Sequence, residues 1–191
     1  MQKINEFPIV FGEGIAGTGK TMCAVYMAIQ AVKDRKFDRV TIIRPIVESG
    51  ESLGFLPGDI REKTDPYFIP IHDSYNYFYE GNVINALYSH GQLRTIPLAY
   101  LRGVTLNDFV IIDEAQNMSK AQLLMLLTRI GLYGKMVITG DITQTDIKQE
   151  HSGLEIVIDK LQKLRSIGIT KFDGEDVVRN PIIAEIIKEL S

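Results

Sequence analysis

Tryptophan is absent from this 191-residue chain, and cysteine occurs once, at Cys23. A lone thiol excludes an internal disulfide framework, and its place in an apolar helical pattern marks it as a buried, inert thiol of a reducing compartment. No apolar run approaches the roughly 18 residues that a membrane span requires. The opening MQKINEFP also lacks the apolar core of a secretory signal, so a cytoplasmic protein is expected. A strong charge of one sign is missing too, because 21 basic and 24 acidic side chains leave a formal net charge of −3. That balance neither demands nor forbids a nucleic-acid partner, and any basic surface has to be local. His72, His90 and His151 do not fall at metal-cluster spacings and read as surface or structural residues.

What is present is the composition of an ordinary globular protein, long enough to bury a core as one domain over residues 1–191. Short apolar runs alternate with helical patterns. FPIVFG (7–12), RVTIIR (39–44), DFVIID (108–113), KMVITG (135–140) and ITKFD (169–173) read as strands. Residues 20–34, 121–130, 153–164 and 181–190 carry helical periodicity. The strands lack polar alternation, as strands covered on both faces do. The class this predicts is α/β, a mostly parallel sheet with helices on both faces. Residues at about 50–107 break the rhythm and read as an insertion between two core strands.

GIAGTGKT, residues 14–21, matches the phosphate-loop pattern G-x-x-x-x-G-K-[ST], with a strand before it and a helix after it. Glycines let backbone N–H groups converge on phosphate oxygens, and the helix start adds unsatisfied N–H groups and a positive dipole end. Gly14, Ile15, Ala16, Gly17, Thr18, Gly19, Lys20 and Thr21 are therefore the candidate nucleotide-binding residues. Lys20 supplies charge to the β- and γ-phosphates, and the Thr21 hydroxyl is a candidate ligand of Mg²⁺.

FVIIDEAQN (109–117) ends a buried strand in two acids. Asp113 suits a carboxylate that holds Mg²⁺ through its water shell, and Glu114 suits the general base that polarises the attacking water. Acids also favour helix amino ends for purely structural reasons. A third strand ends in TGDITQTD (139–146), where Gln144 is placed to sense the γ-phosphate or the lytic water. Ligands of parallel sheets bind beyond the carboxyl ends of the strands, where all three segments fall.

Together GIAGTGKT, DEAQN and GDITQTD resemble motifs I, II and III of superfamily-one helicase cores. The wider chain resembles the PhoH family of ATPases through RPIVESGESLGFLPGDIREKTDPY (44–67), LRGVTLNDFVIIDEAQN (101–117), LLTRIG (126–131), SGLEIVI (152–158) and DVVRNPIIAEII (176–187). Ile15 stands where that family commonly has proline, and His72 to Tyr75 departs from its usual wording after DPY. The resemblance implies a RecA-like P-loop domain that binds and hydrolyses ATP with Mg²⁺ and has links to RNA metabolism.

Other expectations follow from these words. Arg44, Arg102, Arg129 and Arg179 all lie inside them. Each is a candidate for an arginine on the γ-phosphate, from this chain or a neighbour, and Arg179, before Asn-Pro, is favoured because it resembles the arginine of a late helicase motif. Arg44, Phe55, Arg102 and Arg129 are candidates for nucleic-acid or subunit contact. Helicases of this superfamily place ATP between two lobes and this chain has residues for one, so a neighbouring subunit has to complete the site. A closed head-to-tail contact gives a ring, here most economically a homo-hexamer. Tyr67, Phe68, Tyr75, Tyr77, Phe78, Tyr79 and Tyr88 crowd one segment and suit core, interface or base stacking. GESLGFLPGD (50–59) follows the second strand, where its glycines permit close turns and Leu53, Phe55 and Leu56 suit an anchored, strand-contacting or pore-facing loop. Two function classes remain: an ATPase acting on RNA or single-stranded nucleic acid, and a nucleotide-gated oligomeric scaffold that moves no strand.

Overall fold

The computed structural model describes residues 1–46, 65–101, 103–148 and 152–178. Among these residues six strands form one sheet: β1 (Ile9–Gly14), β2 (Val40–Arg44), β3 (Leu93–Pro97), β4 (Phe109–Ile112), β5 (Lys135–Gly140) and β6 (Ile167–Phe172). Their order is β3-β2-β4-β5-β1-β6 and every pairing is parallel. Six α-helices are described: α1 (Gln2–Glu6), α2 (Lys20–Lys33), α3 (Ile69–Phe78), α4 (Gly81–Ser89), α5 (Lys120–Leu127) and α6 (Leu154–Leu161).

Alternation along the strands divides the core in two. Val10, Ile42, Ile111 and Val137 point to the face covered by α1, α2, α3 and α4, where Ala28, Ile29, Ile71 and Tyr75 are buried. Phe11, Ile43, Ile112 and Ile138 point to the other face, against Leu123 and Leu126 of α5 and Leu154 of α6. Both faces of the central strands are covered, which is why β1, β2, β4 and β5 read as continuous apolar runs rather than alternating ones.

The crossovers prepare a crevice. From β1 the chain passes through α2 on one face and skips two strands to β2. From β5 it passes through α6 on the opposite face and steps across β1 to β6. The chain thus diverges to both sides of β1 and β5, and such a divergence opens a crevice at the carboxyl ends of the strands. β5 also lies between β1 and β4, so its end is interposed between the phosphate loop and the acid pair.

The expected α/β class holds, but the described part of the 50–107 stretch is not irregular. It contains α3, α4 and the edge strand β3, which pairs with β2 from Val40↔Leu93 to Arg44↔Pro97. Sequence pattern missed β3 because LRTIP is an edge strand, buried only at Leu93, with a proline tolerated at its end. α3 was hidden by Pro70, which is harmless in the first turn of a helix, and by its aromatic residues. The aromatic cluster splits: Phe68 and Tyr75 are core, whereas Tyr77 is 73% exposed. Cys23 is half-buried rather than buried. His72 packs among Tyr75 and Tyr88, and His90 is exposed. The helix expected at 181–190, the GESLGFLPGD loop and His151 lie outside the described residues.

The amino-terminal helix sits far from the crevice. Lys135, at the start of β5, donates to the carbonyls of Ile4 and Phe7, and Lys3 donates to that of Ile169. These bonds latch α1 to the amino-terminal edge of the sheet. Among the described residues no helix is long and apolar enough to cross a membrane.

Candidate functional site

The phosphate loop connects β1 to α2. Gly17 and Gly19 have φ values of 84° and 76°, a left-handed backbone that side-chain-bearing residues rarely adopt. The turns they allow deliver the chain into α2 at Lys20, with the helix amino end facing the crevice. Thr18, itself buried, braces the loop by donating from Oγ1 to the Ile15 carbonyl at 2.9 Å. The Lys20 ammonium lies inside the loop, donating to the carbonyls of Gly14 at 2.6 Å and Ile15 at 2.7 Å. Residues after β6 close over the same loop, since the Val178 N–H donates to the Gly17 carbonyl at 3.1 Å.

The acid pair enters from β4. Asp113 is buried, and its Oδ1 accepts two hydroxyls, Thr21 Oγ1 at 2.7 Å and Thr139 Oγ1 at 2.7 Å. Thr21 comes from the start of α2 and Thr139 from β5, so one carboxylate oxygen ties the phosphate helix to the middle of the sheet. Glu114 follows with φ 54°, an uncommon conformation for a residue with a side chain, and it lines the cleft. Arg44, the last residue of β2, reaches both acids: Nη1 lies 3.7 Å from Asp113 Oδ2 and Nη2 lies 3.4 Å from Glu114 Oε1. Burial, together with the charge of Asp113, pushes the Glu114 carboxyl above its ordinary value, although Gln116, Arg44 and Lys20 pull the other way. A base with raised proton affinity is better matched to taking a proton near neutral pH.

These groups line a cleft of about 310 Å³, whose walls include Gly17, Lys20, Thr21, Asp113, Glu114 and Asp141. Pro70 and Ser74 of α3 form a further wall that the sequence did not indicate. Asp141 is also buried there, with Oδ1 held by Thr143 and Oδ2 without a hydrogen-bond partner among the described residues.

The structure brings Lys20, Thr21, Asp113 and Glu114 together, and of the four candidate arginines it sets Arg44 beside the acid pair. Gln144 is exposed on the loop after β5 and is not part of the cleft wall; Gly140 and Asp141 take that place. Arg129 stands at the opposite edge of the sheet, where its carbonyl accepts from the Leu106 N–H ahead of β4. Its Nε is buried and has no hydrogen-bond partner among the described residues. Phe55, Arg102 and Arg179 lie outside the described residues. Thr139 and Gln116 were missed because their roles depend on which strand end meets which, and no motif word states that.

Comparison with known proteins gives a consistent picture. The family described as "PhoH: PhoH-like protein" matches residues 1–191. A PhoH-like protein of Synechocystis is 44% identical over 190 residues, covering 98% of this chain and 58% of that protein. One of Bacillus subtilis is 46% identical over 182 residues, covering 94% of this chain and 57% of its own. Protein PhoH of Escherichia coli is 37% identical over 186 residues, covering 95% and 52%. The chain thus spans somewhat over half the length of these curated relatives. Among solved structures, the large terminase from the thermophilic bacteriophage D6E shares the fold with a TM-score of 0.59 at 12% identity, covering 98% of this chain and 46% of the terminase.

Proposed function

The chain belongs to the PhoH-like protein family, and from that premise we propose that it binds ATP with Mg²⁺ and hydrolyses it. One observation carries the reading: a phosphate-loop threonine and an acid pair meet in one cleft, with Thr21 Oγ1 2.7 Å from Asp113 Oδ1 and Glu114 next in sequence. A structural acid pair has no need of a phosphate loop beside it.

The residues fit Mg²⁺. Thr21 and Asp113 offer hard oxygen donors, few enough for an ion that keeps several waters and takes phosphate oxygens as its remaining ligands. Among the described residues no group of three or more His, Cys, Asp or Glu forms a denser metal site. Bound there, Mg²⁺ would neutralise charge on the β- and γ-phosphate oxygens. The chain supplies the rest. Loop amides and the amino end of α2 hold the phosphates. Lys20 exchanges the carbonyls of Gly14 and Ile15 for phosphate oxygens. Glu114 accepts a proton from the attacking water at a carboxylate oxygen, as the water oxygen bonds to the γ-phosphorus and the bridging oxygen leaves with ADP.

We also infer that this cycle acts on RNA or single-stranded nucleic acid within a homo-oligomeric, most simply hexameric, ring. Three features support it: the resemblance to superfamily-one motifs, the exposed Tyr77 on α3, and a cleft formed on a single sheet that a neighbour would complete. Steady-state phosphate release with and without single-stranded RNA or DNA tests the reading, with a sizing measurement plus and minus nucleotide. Mg²⁺-dependent turnover stimulated by a strand, in a ring-sized species, supports it. Turnover indifferent to strands favours the nucleotide-gated scaffold, and a monomer with full activity rules out the ring.

A further inference from the structure

Glu114 is held from both neighbours of its own strand. β4 lies between β2 and β5 in the sheet, and a side chain from the end of β2 and a link to the end of β5 meet at this one carboxylate. Oε1 faces Arg44 Nη2 at 3.4 Å. Oε2 accepts from Gln116 Nε2 at 2.5 Å. The other end of the Gln116 amide is engaged too, because its Oε1 accepts the backbone N–H of Asp141, just beyond β5, at 3.1 Å.

This arrangement permits one orientation of the amide. Reversed, it would set an NH₂ against the Asp141 N–H and an oxygen against the Glu114 carboxylate, two repulsive contacts, the first buried and the second part-buried. Gln116 is 3% exposed, so water does not offer either end a substitute partner. Gly140 makes the approach possible, since a Cβ at that position would lie 2.9 Å from Gln116 Oε1 and 3.2 Å from its backbone N. The same two segments are tied again farther out, where Asn117 Nδ2 donates to Asp146 Oδ2 at 2.7 Å and the Asp146 N–H donates to Asn117 Oδ1 at 2.8 Å. The left-handed backbone of Glu114 is a conformation that persists only where its surroundings fix it.

We propose that Gln116 is a positioning residue for hydrolysis: it fixes the plane of the Glu114 carboxylate from the end of β5, with Arg44 acting from β2, so that the base moves only when a strand end moves. This rests on the ATPase reading. Each carboxylate oxygen keeps a lone pair after accepting one donor, so the two contacts orient the base without consuming it. They also make the loop after β5, which presents exposed Thr143 and Gln144, the place from which a bound strand or subunit would adjust the chemistry.

The test compares Gln116→Leu, which loses both contacts, with Gln116→Glu, which keeps an acceptor for the Asp141 N–H and repels Glu114. Turnover, affinity for a non-hydrolysable ATP analogue, and amide exchange at Asp141 in nucleotide-free protein are measured on each. Gln116→Leu is expected to lower kcat about 10- to 100-fold, the usual cost of removing a partner that orients an active group. Analogue affinity stays within about threefold, and Asp141 exchange accelerates, because its acceptor is gone. Gln116→Glu lowers kcat similarly while Asp141 stays protected. Turnover of Gln116→Leu, or of Gln116→Glu alone should the first not fold, that stays within about twofold of wild type overturns the proposal, as does a kcat loss matched by an equal loss of affinity. Absence of turnover in the wild-type protein overturns the ATPase reading instead, and unchanged Asp141 exchange in Gln116→Leu overturns the link to β5 whatever the turnover.

Discussion

Strand β4 carries acid at both ends, Asp108 before it and Asp113 with Glu114 after it, and the two ends are built on opposite principles. Before the strand, Asp108 accepts from Thr41, from Arg39 Nε at 3.2 Å and from Arg94 Nη2 at 2.8 Å. Burial alone would raise its carboxyl, but the Thr41 hydroxyl and the two guanidinium groups outweigh it and hold the group below the ordinary carboxylate range. After the strand, Asp113 and Glu114 are adjacent acids sharing one arginine, and Glu114 is pushed upward. Two cations on one acid make a satisfied clamp that joins β2, β3 and β4. Among the described residues one ion-paired arginine faces two acids, which sets negative charge beside the phosphate loop, where the proposed chemistry would place Mg²⁺ and a proton. The same four-residue strand is fastened at one end and armed at the other.

Substitutions should pull the two ends apart. The largest effect belongs to Glu114→Gln, which is expected to lower turnover about 10²- to 10⁴-fold, the range for a positioned base, while nucleotide binding persists. Phosphate release against equilibrium binding checks it. Lys20→Ala comes next, weakening nucleotide binding about tenfold or more through loss of charged hydrogen bonds to phosphate; titration with a fluorescent ATP analogue reads this directly. Asp108→Ala should cost about 1–3 kcal/mol of stability by denaturant unfolding, without changing nucleotide affinity. Its arginines reach solvent, with Arg39 38% and Arg94 34% exposed, which favours the lower part of that range.

The pH responses have opposite signs. The folded-state carboxyl of Asp108 is lowered, so its stabilisation is present above the unfolded-state value and lost as pH falls through the folded one. Asp108→Asn should therefore flatten the acid limb of a stability–pH curve. The carboxyl of Glu114 is raised, so ionising it opposes folding, and any stability it lends is present at low pH and lost as pH rises through the folded-state value. Glu114→Gln should leave the neutral-pH unfolding midpoint equal to or slightly above wild type. The acid limb of wild-type turnover should lie above the ordinary glutamate value of 4.5.

What was legible in the sequence follows from how local each feature is. Five strands and the phosphate loop announce themselves because apolar runs and a contiguous motif need only neighbouring residues. β3 did not, since an edge strand with a single buried residue lacks the pattern of a strand covered on both faces. The acid pair was visible as DEAQN, but the role of Gln116 was not, because it depends on β5 being interposed beside β4. Arg44 was one of four candidate arginines, and sequence does not tell which of them meets the acids, because that depends on β2 ending beside β4. Gln144 was singled out as a polar residue at a strand end, whereas burial puts Asp141, three residues earlier in the same segment, at the cleft.

The contrast between the two ends of β4 can be tested in a single paired experiment, measuring phosphate release and unfolding midpoint together on Glu114→Gln and Asp108→Asn. The account expects Glu114→Gln to lose turnover with its midpoint retained, and Asp108→Asn to lose stability while turning over normally below its midpoint. Persistent hydrolysis by Glu114→Gln, or loss of turnover by a folded Asp108→Asn, would contradict the assignment of chemistry to one end and fastening to the other.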